Sequence, residues 1–336
     1  MIVRFGYVAM STVVQNASPS KTMTMKSFTK LDDREAGIHK LERIANENLH
    51  NTLRLLRHNL AHDIKVYRFS SKLIPLATHN DMHDWNPFPA LKEGFQAIGE
   101  FVKKHEMRVS FHPDHFTVLS TPRPEVLINS IRDLESHVHM LKAMGLPASM
   151  KNNIHIGGAY GDKPSASARF VEHFHALDQS IKERLTLEND DKTFTAQETL
   201  AVCQQTGLPM VLDIHHQWVN NDGEAPWELW PAILRTWETP LAQEGSEPIQ
   251  PLPPKIHVSS PKSPTDIRSH ADGVDVVPLL AFLRKIAGAT PKVDVMIEAK
   301  MKDGALFGLM KDLGDYAGEG VTILDGASIE VNDLKP

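Results

Sequence analysis

The sequence predicts an α/β protein and, within that class, a closed (β/α)8 barrel of the TIM type. Three observations carry the prediction. Apolar, β-branched strand runs alternate with helical runs along the chain, the pattern of a parallel sheet covered by helices. Eight strand candidates can be counted, the number that closes such a barrel. Strands three to eight all end near a histidine or a carboxylate, at the edge where α/β folds place their chemistry. The 336 residues are 41% hydrophobic, enough for a large core. Barrels of this length form one domain, so residues 1–315 read as a single barrel and 316–336 as a C-terminal tail.

Taken in order, the first strand is Ile2 to Val8, followed by a Ser-, Thr- and Lys-rich loop from Ser11 to Lys30. A helix from Arg34 to His62 spaces Leu41, Ile44, Leu49, Leu53, Leu56 and Leu60 for one buried face. Ile64 to Phe69 is the second strand, with Arg68 near its end and His79 in the polar, Pro-rich segment beyond. A helix from Ala90 to His105 leads into Arg108 to Phe111, the third strand, which runs out into His112-Pro113. Glu125 to Met144 is helical, and Asn153 to Ile156 is a strand stopped by Gly157-Gly158. Ala166 to Glu183 reads as one helix, and Leu185 to Leu187 as the fifth strand, ending in Glu188.

The sixth strand is Met210 to Asp213, with Thr206-Gly207 and Pro209 closing the helix before it. Its apolar run reads as buried on both faces, as parallel strands are. Trp227 to Trp237 is helical, and the acidic, Pro-rich stretch Gln243 to Pro254 reads as a surface excursion. Lys255 to Val258 is strand seven, Val277 to Ile286 a helix, Val293 to Ile297 strand eight, and Asp303 to Leu313 a last helix. The residues from Val321 onward carry no readable pattern.

Composition narrows the class less than the motifs do. A net charge of −6 does not advertise a nucleic-acid binder, yet a basic groove can sit on an acidic protein. Eighteen uncounted histidines and any bound metals would shift the field locally. The single cysteine, Cys203, excludes an internal disulfide and reads as a packed thiol. No run approaches a membrane span and no signal-like segment opens the chain, so a reducing cytoplasm is expected.

The stretch Met210-Val211-Leu212-Asp213-Ile214-His215-His216 carries the chemistry most clearly. Asp213 and His216 can turn toward one point as oxygen and nitrogen ligands of a metal. The alternative is an aspartate capping the next helix beside surface histidines. Recurrence decides between them: successive strands end near His112, His155, Glu188, Asp213, His257 and Glu298. Any one has an ordinary explanation, as a satisfied polar residue or a partner for a helix terminus. Together they gather three carboxylates and three imidazoles around a small mouth, where the like charges repel unless cations are present. Mixed carboxylate and imidazole donors suit Zn or Mn.

Several ligands around one carboxylate imply more than one ion. Such centres hydrolyse phosphodiesters, but metal-dependent sugar isomerases use similar barrel mouths, so the residues themselves reach only a multinuclear metal enzyme. Lys255 adds to the set. The strand period of two puts it on the same face as His257. An ammonium facing divalent ions loses hydration, which lowers its pKa from about 10.4. A neutral amine can take up carbon dioxide as a metal-ligating carbamate; the ordinary reading is a lysine paired with an acid.

The motifs Tyr67-Arg68-Phe69-Ser70-Ser71 with Leu73-Ile74-Pro75, His155-Ile156-Gly157-Gly158-Ala159-Tyr160-Gly161, Leu187-Glu188-Asn189-Asp190 and Val295-Met296-Ile297-Glu298-Ala299-Lys300 resemble those of the UV-damage endonucleases. That family is related in fold and metal cluster to endonuclease IV, and the resemblance runs from Phe5-Gly6-Tyr7 to Lys300. It implies a monomeric enzyme that nicks damaged double-stranded DNA 5′ to UV photoproducts, tolerates abasic sites and holds three divalent ions, Mn2+ ahead of Zn2+. Glu188 would bridge two of them. His112 and His155 would complete the first ion's ligands, and Asp213, His257 and Glu298 the second's. His216 and His270, with a modified Lys255, would bind the third. His216 rather than His215 is the ligand on this reading. Catalysis is assigned to Glu188, Lys255 and Lys300, and DNA contact to Tyr7, Arg68, His79, His115, Phe116 and Tyr160.

Two departures stand out. Many relatives carry Gly-Gln-Tyr after His112-Pro113, where this chain has Asp114-His115-Phe116, and Ser11 stands where they place an asparagine. An imidazole and a phenyl ring can still fill a gap left by flipped bases. The alternatives are an abasic-site endonuclease without photoproduct activity and a metal-dependent sugar isomerase. The Ser/Lys-rich first loop and the basic Lys262/Arg268 loop favour a long polyanion over a sugar.

Overall fold

A computed structural model describes residues 1–31, 33–238 and 251–332. Eight parallel strands close into a barrel: β1 (Ile2–Val8), β2 (Val66–Arg68), β3 (Arg108–Phe111), β4 (Lys151–His155), β5 (Leu185–Glu188), β6 (Met210–Asp213), β7 (Lys255–Val258) and, after a hairpin described below, the strand Lys292–Ile297. That last strand pairs in parallel with both β7 and β1, from Ile2↔Lys292 to Tyr7↔Ile297, which closes the ring. Gly6 is required where β1 meets β2: a Cβ there would lie 2.0 Å from the Val66 carbonyl oxygen.

Between the strands lie α1 (Met25–Phe28), α2 (Arg34–Ala61), α3 (Phe88–Lys104), α4 (Pro124–Ala143), α5 (Lys163–Ala176), α6 (Gln179–Lys182), α7 (Ala196–Thr206), α8 (Ile214–Val219) and α9 (Pro226–Glu238). Helix α2 buries Leu41, Leu49 and Leu56, as its periodicity requires, and Asp33 caps it by accepting from Glu35 and Ala36 amides. A capping box between Thr195 and Glu198 starts α7, and Gly207 at φ 74° ends it. The single helix expected over Ala166–Glu183 is two. Leu177 turns extended, and Asp178 starts α6 by accepting from the Ser180 amide. A local side-chain cap outcompetes helix continuation there. Strand β4 begins two residues earlier than its apolar run, because Lys151 pairs with Ser110 of β3.

Beyond β7 come the hairpin strands β8 (Pro261–Ser263) and β9 (Asp266–His270), then α10 (Val276–Ile286), β10 (Lys292–Ile297) and α11 (Lys302–Gly314). The C-terminal stretch is not featureless: β11 (Val321–Asp325) and β12 (Ser328–Val331) form a hairpin, and β12 pairs antiparallel with Ile2–Arg4. Strand β2 is short and leaves that half of β1 open, and β12 satisfies the exposed backbone edge. Of the stretch expected to form a surface excursion, residues 243–250 lie outside the described residues.

The barrel floor is polar and charged. Asp294, fully buried, accepts from Arg4 Nε at 2.7 Å and Arg108 Nη1 at 2.6 Å, and Arg108 also donates to the Pro253 carbonyl. Among the described residues, no helix is long and apolar enough to cross a membrane.

Candidate metal centre

The strand ends of the mouth converge on Glu188, the last residue of β5 and 1% exposed. Its Oε2 lies 3.1 Å from His112 Nε2 and 3.8 Å from His155 Nε2, and its Oε1 lies 3.0 Å from His257 Nδ1. His257 Nδ1 is also 2.9 Å from Glu298 Oε1. Two compact ligand groups result, His112–His155–Glu188 and Glu188–Asp213–His257–Glu298, sharing Glu188.

Hydrogen bonding around the rings indicates what the free atoms are for. His112, His155, His216 and His270 each set Nδ1 against a backbone carbonyl, of Pro113, Glu188, Asn189 and Glu298 respectively, at 2.6–3.2 Å. A carbonyl only accepts, so Nδ1 carries the hydrogen, and in the neutral ring Nε2 is left with a lone pair, the tautomer that metal-ligating histidines adopt. Glu188 Oε1, Asp213 Oδ2 and His257 Nδ1 are buried without an aligned hydrogen bond. His257 stands within ion-pairing distance of two carboxylates, but the ring N–H is not directed at either oxygen. Buried polar atoms left so are costly, and divalent ions shared among these donors would satisfy them. The oxygen and nitrogen donor set fits Mn or Zn.

Electrostatics agrees. Burial works to raise the Glu188 carboxyl, but the imidazoles of His257, His155 and His112 gathered around it hold it well below the usual carboxylate range. Glu298 is likewise held well below, burial being outweighed by Arg68 and His257. Burial lowers His257, yet Glu188 and Glu298 push it up to about 9. His216 also reaches about 9, against burial, through Asp213 and Glu188. The protein's own imidazolium groups supply countercharge that metal ions would take over.

Supporting residues that the sequence reading missed hold these groups in place. Asn153 donates to Glu188 Oε2, and Asn189 brackets Asp213 by accepting from its amide and donating to its carbonyl. Strand period offered a signal for Asn153, which lies two residues before His155 on the same face. Ser11 and Thr12 donate to buried Asp303 at the start of α11, which pins the first loop to the last helix.

The remaining expected site residues divide. His216 and His270 border the cluster with ring centroids 6.3 Å apart but stand outside the two compact groups. Lys255 is buried, and its Nζ donates to Ser110 Oγ at 3.1 Å rather than joining the converging donors. Burial first, then Arg108, hold its pKa well below the ordinary lysine value. Arg68 faces the centre and pairs with Glu298. His79 is a partly exposed cap, its ring accepting from the Asp81 amide on the loop after β2. His115 and Phe116 are exposed at the tip of the loop after β3, Phe116 by 56%, so Phe116 is not a core aromatic. Tyr160 is exposed after β4 and Lys300 after β10.

Tyr7 requires correction. It is fully buried and donates to Asn59 Oδ1 at 2.7 Å, so it packs α2 against the barrel and has no surface with which to touch DNA.

Exposed Trp218 on α8, Ile267 on β9 and Met301 at the start of α11 also stand at this end, unremarked in the sequence. Clefts of about 300 Å³ and 210 Å³ flank the loop tip: one includes His115, His155 and His216, the other Phe116, Lys72 and His137.

Fold and site together define a TIM-barrel protein with histidines and carboxylates gathered around a buried glutamate at the carboxyl ends of its strands. The chain belongs to the UV-endonuclease family: it matches the UV-endonuclease UvdE family over residues 3–331. A UV DNA damage endonuclease of Halalkalibacterium halodurans is 43% identical over 333 residues, covering 99% of this chain and all of that protein. The crystal structure of SacUVDE superposes with a TM-score of 0.78 at 29% identity, over 94% of this chain and 99% of that one. Endonuclease IV from Thermus thermophilus shares the fold at TM-score 0.53 and 13% identity, with the same coverage.

Proposed function

We propose that this protein is a metal-dependent DNA repair endonuclease that incises the phosphodiester 5′ to UV photoproducts, and at abasic sites, in duplex DNA. The observation that carries the reading is the centre itself: four imidazoles with Nδ1 tied to carbonyls around a buried carboxylate, beside an exposed aromatic tip. His112, His155 and Glu188 would hold one ion, and Asp213, His257 and Glu298 with Glu188 a second. His216 and His270 would hold a third. Ions in such a site neutralise phosphate charge and activate water, with Mn2+ favoured by the mixed hard donor set.

The chain's own residues bind and orient the duplex. Phe116 and His115 would enter the stack at the lesion and fill the space vacated by flipped nucleotides, offsetting a few kcal/mol of unstacking. Exposed Lys300, Lys262 and Arg268 would contact the phosphate backbone, which positions the duplex without reading sequence. Tyr160, exposed beside Arg169, offers a stacking face on the same side. Arg68 holds Glu298 in its ionised form.

Lys255 fits carbamate formation. A neutral amine adds to carbon dioxide and releases one proton, giving an anion among the cationic Arg4, Arg68 and Arg108. A crystal structure near neutral pH should show planar density on Nζ; a well-ordered bare amine beside a filled third site defeats this part.

The test is incision of duplexes carrying a photodimer, an abasic site or no lesion by manganese-loaded protein. Cleavage 5′ to the dimer supports the proposal. Cleavage of the abasic duplex alone indicates the narrower abasic-site enzyme. No lesion-dependent cleavage in any arm refutes the proposal and returns attention to small-molecule substrates.

A further inference from the structure

The loop after β7 is a hairpin, β8–β9, that carries exposed Lys262, Ile267 and Arg268 and ends in His270. Its internal pairing is slight: Pro261 opposes His270 and Ser263 opposes Asp266, with a register shift between. An isolated hairpin is marginal in water, so its place depends on outside anchors. On the β10 side these are ordinary backbone bonds, Lys300 to the Ala271 carbonyl and Met301 to the Asp272 carbonyl, plus the His270 ring on the Glu298 carbonyl. On the β6 side a side chain does the work. His215 is fully buried; its Nε2 lies 2.6 Å from the Ile267 carbonyl and its Nδ1 2.5 Å from Ser259 Oγ. The carbonyl can only accept, so Nε2–H donates to Ile267 and the Ser259 hydroxyl donates to Nδ1.

We propose that His215 is a positioning residue that seats the β8–β9 hairpin on the barrel mouth, setting where His270 meets the metal centre and where Arg268 meets the duplex. The bond reaches the backbone of β9 at Ile267, beyond the anchors near Ala271, so it fixes the half of the hairpin that they leave free. Both His215 ring nitrogens are occupied, so neither is free to hold an ion. The consequence for metal and DNA rests on the function proposed above, whereas the seating of the hairpin does not.

Two substitutions separate positioning from packing. Glutamine places its amide nitrogen near the Nε2 position and keeps the Ile267 link; asparagine reaches only the Nδ1 position and keeps the Ser259 link. Hydrogen exchange should show amides 262–270 roughly fivefold to tenfold faster in His215→Asn, the size of one lost hydrogen bond. In His215→Gln they should stay near the unaltered rate, and the barrel strands should be unchanged in both. Manganese content should fall by part of one equivalent in His215→Asn, and KM for the damaged duplex should rise more than kcat falls, with glutamine restoring both. Equal exchange in the two variants would overturn the proposal and leave His215 a core filler. Altered hairpin exchange without change in metal content or KM would confirm the seating while removing its link to the proposed function. Should both variants fail to fold, the unaltered protein still decides: hairpin amides exchanging at loop rates refute the anchor, and protection comparable to the strand ends supports it.

Discussion

Replacing Glu188 by Gln tests the centre most directly, because shape is kept while the shared charge is removed. In the metal-free protein Glu188 shares the His257 imidazolium with Glu298, so the variant leaves that ring its second partner and loses the cost of burying one carboxylate. Its metal-free melting temperature should therefore change little. The metal-dependent part should change a great deal. An ion at about 1,000 times its Kd stabilises the folded state by about 4.1 kcal/mol, and a hundredfold loss of affinity removes about 2.7 of that. With about 2.1 cal/mol/K per residue, a chain of 336 residues has an unfolding entropy near 0.7 kcal/mol/K. Manganese should then raise the melting temperature by about 6 °C in the unaltered protein and by about 2 °C in Glu188→Gln. Differential scanning fluorimetry with and without manganese, run beside the incision assay, reads both. A variant that melts and incises like the parent in manganese refutes the bridging role.

Metal affinity should rise with pH. His257 and His216, both held at about 9 in the metal-free centre, carry protons at neutral pH that a metal ion must displace. Manganese affinity should increase by roughly tenfold per pH unit for each proton released, then flatten above pH 9, as titration calorimetry in buffers of different ionisation enthalpy would show. A flat affinity from pH 6 to 9 would count against those two ligands. Asp294→Ala leaves buried Arg108 and half-buried Arg4 without their shared partner and should cost about 3–5 kcal/mol by urea unfolding, with incision per folded molecule unchanged. Phe116→Ala should weaken binding to damaged duplex far more than to undamaged duplex in a competition assay while leaving the melting temperature in place, since the ring is already in solvent; equal losses on both duplexes argue against insertion.

Much of this protein is legible from local pattern. Apolar runs such as Met210–Leu212, set off by Gly207 and Pro209, read as short buried strands, and the polar residue that ends each run falls at the barrel mouth because parallel strands all point the same way. Strand alternation and strand-end position therefore located Glu188, Asp213, His257 and Glu298 without any knowledge of their neighbours. What local pattern does not contain is long-range pairing. Tyr7 ends a strand like the others, yet it is buried because Asn59, fifty-two residues on, takes its hydroxyl. The C-terminal strands are short, β11 mostly exposed and β12 burying only Ile329 and Val331 of its apolar residues, too brief a pattern to read alone, and they form where β1 has an open edge to pair with. The division between His215 and His216 is likewise tertiary. A helix begins at Ile214, so adjacent residues point about 100° apart; one ring turns to the cluster and the other to Ser259 and the hairpin. Sequence determined which chemistry collects at the mouth, because strand direction and period are local properties. Which of two neighbouring imidazoles serves it depended on packing between segments far apart in the chain.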